Sequence, residues 1–252
     1  MESEETVQRD ELKELRTAVM ERARGAFARM DETAEINTRK VLDAMRECRV
    51  SDAHFGVSAG YAYSDLGREK LDELYARVFG AERALVRTQF VSGTHALATV
   101  LFGILRPGDQ LVSITGAPYD TMQTVIGWAH ESVGSLKEFG VDYDELSMRD
   151  GRVDMDGIDR IVTARTKVAL VQRSRGYSER EPLSIEDIRA VSARIKAANP
   201  NCIVFVDNCY GEFVDTVEPT EIPTVDIMAG SLIKNPGGGI APTGGYIAGR
   251  SK

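Results

Sequence analysis

From residue 68 onward the chain alternates between helix-patterned stretches and short, nearly all-apolar runs, and few architectures satisfy that rhythm. The stretches "REKLDELYARVFG" (68–80), "GTHALATVLFGILRPGD" (93–109), "TMQTVIGWAHES" (121–132) and "LSIEDIRAVSARIKAANP" (183–200) have helical character. Around them "RALVRT", "QLVSIT", "TKVALVQ", "NCIVFVDN", "TVDIMAGS" and "GGYIAG" read as strands. A strand covered on both faces loses the polar–apolar alternation of a half-exposed one, so the pattern predicts an α/β fold with a mainly parallel sheet and helices on both faces. Residues 183–200 give the clearest helix: Ser184 and Asp187 have capping-box spacing, and Ile185, Ile188, Val191 and Ile195 share a face.

Residues 10–48 precede this region and are rich in Ala, Leu, Glu, Arg and Met. They predict one long helix, or two if Gly25 and Asn37 interrupt it. "FGVSAGYAYSDLGR" (55–68) then breaks the helical pattern with glycines and with Phe55, Tyr61 and Tyr63, the composition of a loop with a task. The expected division is a helical segment and loop over 1–60 and a large α/β domain over 61–252.

The 252 residues suffice for a sizeable core, and 31 Lys+Arg against 39 Asp+Glu give a net charge of -8 without a basic run. Nucleic acid and membrane are therefore not expected partners. Cys48, Cys202 and Cys209 have no CxxC spacing, so neither a disulfide framework nor a metal site is expected. The N-terminus "MESEETVQRD" is unlike a targeting peptide, and a reducing cytoplasm is the expected compartment.

Ligands of such sheets bind at the carboxyl ends of the strands. The residues expected to converge there are Gly116–Asp120, Gln172–Arg175, Asp207–Asn208 and Ser231–Lys234. An amine such as Lys234 attacks carbonyls when its pocket activates it, and a carboxylate such as Asp207 keeps a pyridine nitrogen protonated. Backbone N–H groups of Gly93 and Thr94, at a predicted helix start, can cradle a phosphate. A dianion needs further donors, for which Ser231, Arg68 and a phenol from Tyr61 or Tyr63 are candidates, while Tyr119 can stack on a flat ring. Together these parts describe pyridoxal 5'-phosphate held covalently by Lys234.

"VSGTHALATVLFGILRPGDQLVSITGAPYDT", "VFVDNCYGEF" and "GSLIKNPGGGIAPTGGYIAGR" resemble fold-type I pyridoxal-phosphate enzymes of the cysteine/methionine metabolism group. Within that group the chain is most similar to the methionine γ-lyase-like or aluminium-resistance branch. The resemblance implies the large domain of the aspartate-aminotransferase-like fold and a carbon–sulfur lyase acting on a sulfur-containing amino acid such as methionine or cystathionine. It also implies a homodimer or homotetramer. By that likeness Lys234 is the cofactor lysine, Asp207 the partner of the ring nitrogen, Tyr119 the stacking ring, and Gly93, Thr94 and Ser231 phosphate ligands. Tyr63 and Arg68 are candidates for reaching the phosphate of a neighbouring subunit, and His95 for proximity to the cofactor.

Three departures accompany the resemblance. Ile233 stands where many relatives carry a hydroxyl residue. "QRSRGYS" (172–178) differs from the strand end of better-known lyases, leaving Arg173 and Arg175 either solvated or bound to an anionic substrate group. The sequence ends at Lys252, before the small C-terminal domain of relatives, which makes a catalytically inactive truncated form the main alternative. A serine hydrolase is the third alternative, because "GVSAG" (56–60) matches the G-x-S-x-G pattern around Ser58. That pattern needs a strand before the serine, a helix after it and a downstream histidine, and the last histidine is His130.

Overall fold

A computed structural model describes residues 4–58, 60–61, 64–129 and 132–251, with side chains described from residue 9. Tyr63 and His130 lie outside the described residues. Among the described residues seven strands form one sheet in the order β1-β7-β6-β5-β4-β2-β3. They are β1 (Arg83–Arg87), β2 (Gln110–Ser113), β3 (Asp142–Glu145), β4 (Thr166–Gln172), β5 (Ile203–Asp207), β6 (Ile227–Ser231) and β7 (Gly245–Gly249). Strands β2 to β6 pair in parallel, while β7 runs antiparallel between β6 and β1. The helices are α1 (Glu4–Glu47), α2 (Leu66–Val78), α3 (Gly93–Ile104), α4 (Asp120–Ile126), α5 (Met155–Ile161) and α6 (Ile185–Ala198).

Alternate residues of each strand face opposite ways, and the core divides accordingly. Val168, Leu170, Phe205 and Ala229 pack with Ala96, Leu97 and Leu101 of α3 and Met122 and Ile126 of α4. Ala169, Val171, Val204, Val206 and Met228 pack on the other face with α2, α5, α6 and Ala44 of α1. The expected α/β architecture with helices on both faces is therefore the observed one.

Helix α6 begins as its sequence predicts. The Asp187 N–H donates to Ser184 Oγ at 3.1 Å, and the Ser184 N–H donates back to Asp187 Oδ2 at 2.9 Å. Ile188 and Ile195 are fully buried. At its far end Asn199 Nδ2 donates to the carbonyls of Thr163 and Thr166, tying the helix to the start of β4.

Helix α1 is a single helix rather than two. Gly25 is exposed, so its cost is one of propensity alone, and Asn37 is held by tertiary contacts. The buried Asn37 amide donates to the carbonyls of Phe213 and Asp215. Strand β3 and helix α5 have no counterpart in the sequence reading. β3 is the acidic tetrapeptide "DYDE" at a half-exposed sheet edge, where burial imposes no apolar run.

Candidate active site

The carboxyl ends of β5 and β6 lie side by side, with Asp207 paired to Ala229. This register places Asp207 and Ser231 at adjacent strand ends. Lys234 follows Ser231 after a short link, and a turn over Asn235–Gly237 then reverses the chain. That turn packs closely: a Cβ at Gly237 would lie 1.7 Å from the Leu232 carbonyl oxygen, so no side chain fits.

Asp207 is buried, and burial raises its carboxyl above the usual range. The Cys209 N–H donates to Asp207 Oδ1 at 3.1 Å, and the Lys234 charge also favours the carboxylate. Such a group gains most from a cation beside it.

Ser231 Oγ is buried and has no hydrogen-bond partner. It lies against the first turn of α3, where a Cβ added to Gly93 would come within 3.0 Å of Ser231 Cβ. Ser92 caps α3 by accepting from the His95 N–H at 3.1 Å. An unpartnered hydroxyl beside the N-terminus of a twelve-residue helix is a donor set suited to phosphate.

Thr94 Oγ1 shares hydrogen bonds with Tyr119 Oη at 2.8 Å and with Thr121 Oγ1 at 3.0 Å. The Tyr119 N–H donates to Gln172 Oε1 at 3.1 Å, linking the segment after β2 to the end of β4. Burial pushes the Tyr119 phenol up to about 12, with the Asp207 charge acting in the same direction. Gly93, Thr94, Tyr119, Asp207, Ser231 and Lys234 thus gather at the carboxyl ends of the parallel strands. A buried carboxylate, an amine, a phenol ring and an orphaned hydroxyl at a helix N-terminus fit the ring nitrogen, carbonyl, ring face and phosphate of pyridoxal phosphate.

Other expected residues stand differently. His95 is exposed, receives the Val91 N–H on Nδ1 at 3.4 Å and meets the Phe90 ring edge-on at 5.7 Å. Arg68 lies in the first turn of α2 and donates to the Gly60 carbonyl at 2.9 Å, lining with Leu232 a cavity of about 560 Å³. Arg175 is exposed and lines two neighbouring clefts.

Arg173 is not solvated, although it lines the same cleft as Arg175. Its guanidinium is buried, donating to Asn208 Oδ1 at 2.9 Å, the Gly211 carbonyl at 2.7 Å and Asp215 Oδ2 at 2.6 Å. The hydrolase reading also fails on geometry. Among the described residues no strand precedes Ser58, whose hydroxyl donates to Asp65, the residue that caps α2 by accepting from the Arg68 N–H.

Sequence reasoning assigned no role to Tyr210 or Glu212 in the continuation of the β5 strand end, "NCYGE". The Tyr210 ring lies beneath the Lys234 ammonium, with Nζ 4.0 Å from the ring centroid. Asn235 Nδ2 donates to the carbonyls of Tyr210 and Glu212 at 3.1 and 2.9 Å. Glu212 is buried, accepts from the Tyr246 hydroxyl at 2.8 Å, and leaves Oε2 without a partner. Burial pushes its carboxyl up to about 8, with the Glu218 and Asp207 charges adding to the effect. The only sequence signal was the polar character of these residues next to a buried strand. Among the described residues no group of three or more His, Cys, Asp or Glu is arranged to hold a metal ion, and no helix is long and apolar enough to cross a membrane.

A family model for methionine gamma-lyase matches residues 12–252. The chain belongs to the methionine gamma-lyase family. Among relatives in this family, Bacillus subtilis (strain 168) YnbB is 48% identical over 230 residues, 90% of this chain and 54% of YnbB. The structure of a carbon-sulfur lyase involved in aluminum resistance from Clostridium novyi NT is 45% identical, with a TM-score of 0.91 over 100% of this chain and 61% of that one. The methionine gamma lyase CalE6 of Micromonospora echinospora is 23% identical with a TM-score of 0.56, covering 75% of this chain and 45% of its own, a likeness of fold. The chain therefore spans about half the length of YnbB and about three-fifths of the Clostridium novyi NT lyase.

Proposed function

We propose that this chain is the cofactor-binding part of a pyridoxal-phosphate-dependent carbon–sulfur lyase acting on a sulfur-containing amino acid such as methionine or cystathionine. The observation that carries it is the buried Asp207 carboxyl at the end of β5, on which the charge of Lys234, in the segment just after the adjacent β6, acts. Family membership supports the lyase class. Bound pyridoxal phosphate supplies an electrophilic carbonyl carbon and a ring that withdraws electron density from the substrate's α-carbon.

The protein's own groups do the rest. Lys234 holds the cofactor and, once its amine is free, takes the α-proton, a contribution typically worth about 10²–10⁴-fold. Asp207 as a carboxylate keeps a proton on the ring nitrogen, an attraction between opposite charges that is stronger away from bulk water. Ser231 and the N–H groups of Gly93 and Thr94 bind the phosphate, and Tyr119 covers the ring face. Loss of the sulfur substituent by β- or γ-elimination then follows from charge built up at the α-carbon.

Pyridoxal phosphate added to the purified protein should give a visible absorption band that borohydride traps as an adduct on Lys234. Lys234→Ala should abolish the adduct, and its persistence there would overturn the cofactor assignment. Exchange of the α-proton of methionine, cystathionine and cysteine in deuterium oxide distinguishes a working lyase from an inactive truncated form. An adduct without exchange on any of the three favours the inactive form.

A further inference from the structure

The loop after β5 carries more constraint than a surface connection requires. Tyr210 and Phe213 both have left-handed backbone, with φ of 67° and 62°, a conformation that disfavours bulky side chains. Several partners hold this loop in place. Arg173 Nη1 and Asn235 Nδ2 bond the carbonyls of Gly211, Tyr210 and Glu212, and the Phe213 N–H donates to Glu218 Oε1 at 2.8 Å. Strain of this kind persists only where surrounding contacts over-determine it, and it points to a task.

The task is not burial of the Tyr210 ring, which is 61% exposed. What the loop achieves is to present that ring to Lys234 Nζ at 4.0 Å. Asn235, the neighbour of Lys234, bonds the Tyr210 carbonyl and thereby fixes ring and amine to one frame. We propose that Tyr210 is a positioning residue whose ring seats the Lys234 ammonium whenever that amine is not covalently engaged. The proposal rests on Lys234 being the cofactor lysine. A freed lysine on a long flexible stem would otherwise wander into solvent, whereas a seat at the strand ends keeps it beside Asp207.

The test needs no turnover. Cofactor-free protein is labelled with limiting acetic anhydride, and the modification of Lys234 relative to exposed Lys167 is read by peptide mass spectrometry. The amine must leave the ring to react. Tyr210→Asn, which suits a left-handed backbone, and Tyr210→Leu should therefore each raise the Lys234 ratio by about 2- to 5-fold, the range set by an exposed cation–π contact. Tyr210→Phe keeps a ring and should leave the ratio unchanged, which a purely structural role of the side chain does not predict. Equal ratios in all four proteins, or a rise in Tyr210→Phe as large as in Tyr210→Asn, would overturn the seat. Borohydride trapping of added pyridoxal phosphate is run in parallel on the same proteins. Absence of a Lys234 adduct in the unsubstituted protein sinks the cofactor-lysine assignment on which the proposal rests, whereas flat labelling ratios with a normal adduct sink the seat alone.

Discussion

A buried hydroxyl with no partner costs a folded chain about 1–3 kcal/mol, and Ser231 Oγ is such a group. If phosphate is its missing partner, Ser231→Ala should leave the thermal stability of the cofactor-free protein unchanged or raised. It should at the same time weaken pyridoxal phosphate binding by about 10- to 100-fold, since hydrogen bonds to charged groups contribute roughly 1.5–3 kcal/mol. Absorbance titration beside thermal melts checks both parts, and an unchanged affinity removes Ser231 from the phosphate site. Ser231, like Asp207 and Lys234, was legible because a polar residue directly after an apolar strand stands out in sequence. Tyr210 and Glu212 were not, because their positions depend on backbone strain and burial created by residues distant in the chain. The surroundings of Arg173 were hidden for a related reason. Arginines are mostly solvated, and only the fold brings Asn208, Gly211 and Asp215 around this one.

Among the elements, α6 shows how local signals and tertiary packing agree. Its capping box satisfies backbone donors at the first turn, and its apolar stripe meets β4 and β5. Ser184→Ala should therefore destabilise the protein by about 1 kcal/mol, seen as a lower urea midpoint at unchanged slope, without altering the Lys234 adduct. A loss of adduct would mean that this helix end governs the site. The inner strands were legible because burial on both faces demands apolar residues. β3 escaped notice because an edge strand faces water, its one ring, Tyr143, packing against the core and Trp128 between acidic residues. The direction of β7 was equally hidden. "GGYIAG" reads as a strand in either sense, and its antiparallel pairing to both β6 and β1 follows from the turn after Lys234.

Across the whole molecule, acidic groups are drawn inward toward one centre. Asp207, Glu212 and Glu218 are all buried around Asn208 and Tyr246, with Arg173, Lys40 and Lys234 as the cations acting on them. Burial raises all three carboxyls, Glu212 to about 8. A carboxyl held protonated in the fold keeps a proton that the unfolded chain releases above its ordinary value of 4.5. Its stabilising contribution is complete below that value, declines as pH rises and is lost by the time pH passes about 8. The fold should therefore be less stable at pH 9 than at pH 6, opposite to the trend of a protein whose carboxylates are held ionised. Glu212→Gln replaces the neutral acid with a neutral group of the same shape that can still accept from Tyr246 Oη. It should match the unsubstituted protein near pH 5 and exceed it at pH 9 by an amount on the order of a few kcal/mol. Urea midpoints from pH 5 to 9 decide the matter: parallel curves for the two proteins would show that Glu212 is ionised throughout and that the buried centre is balanced by other means.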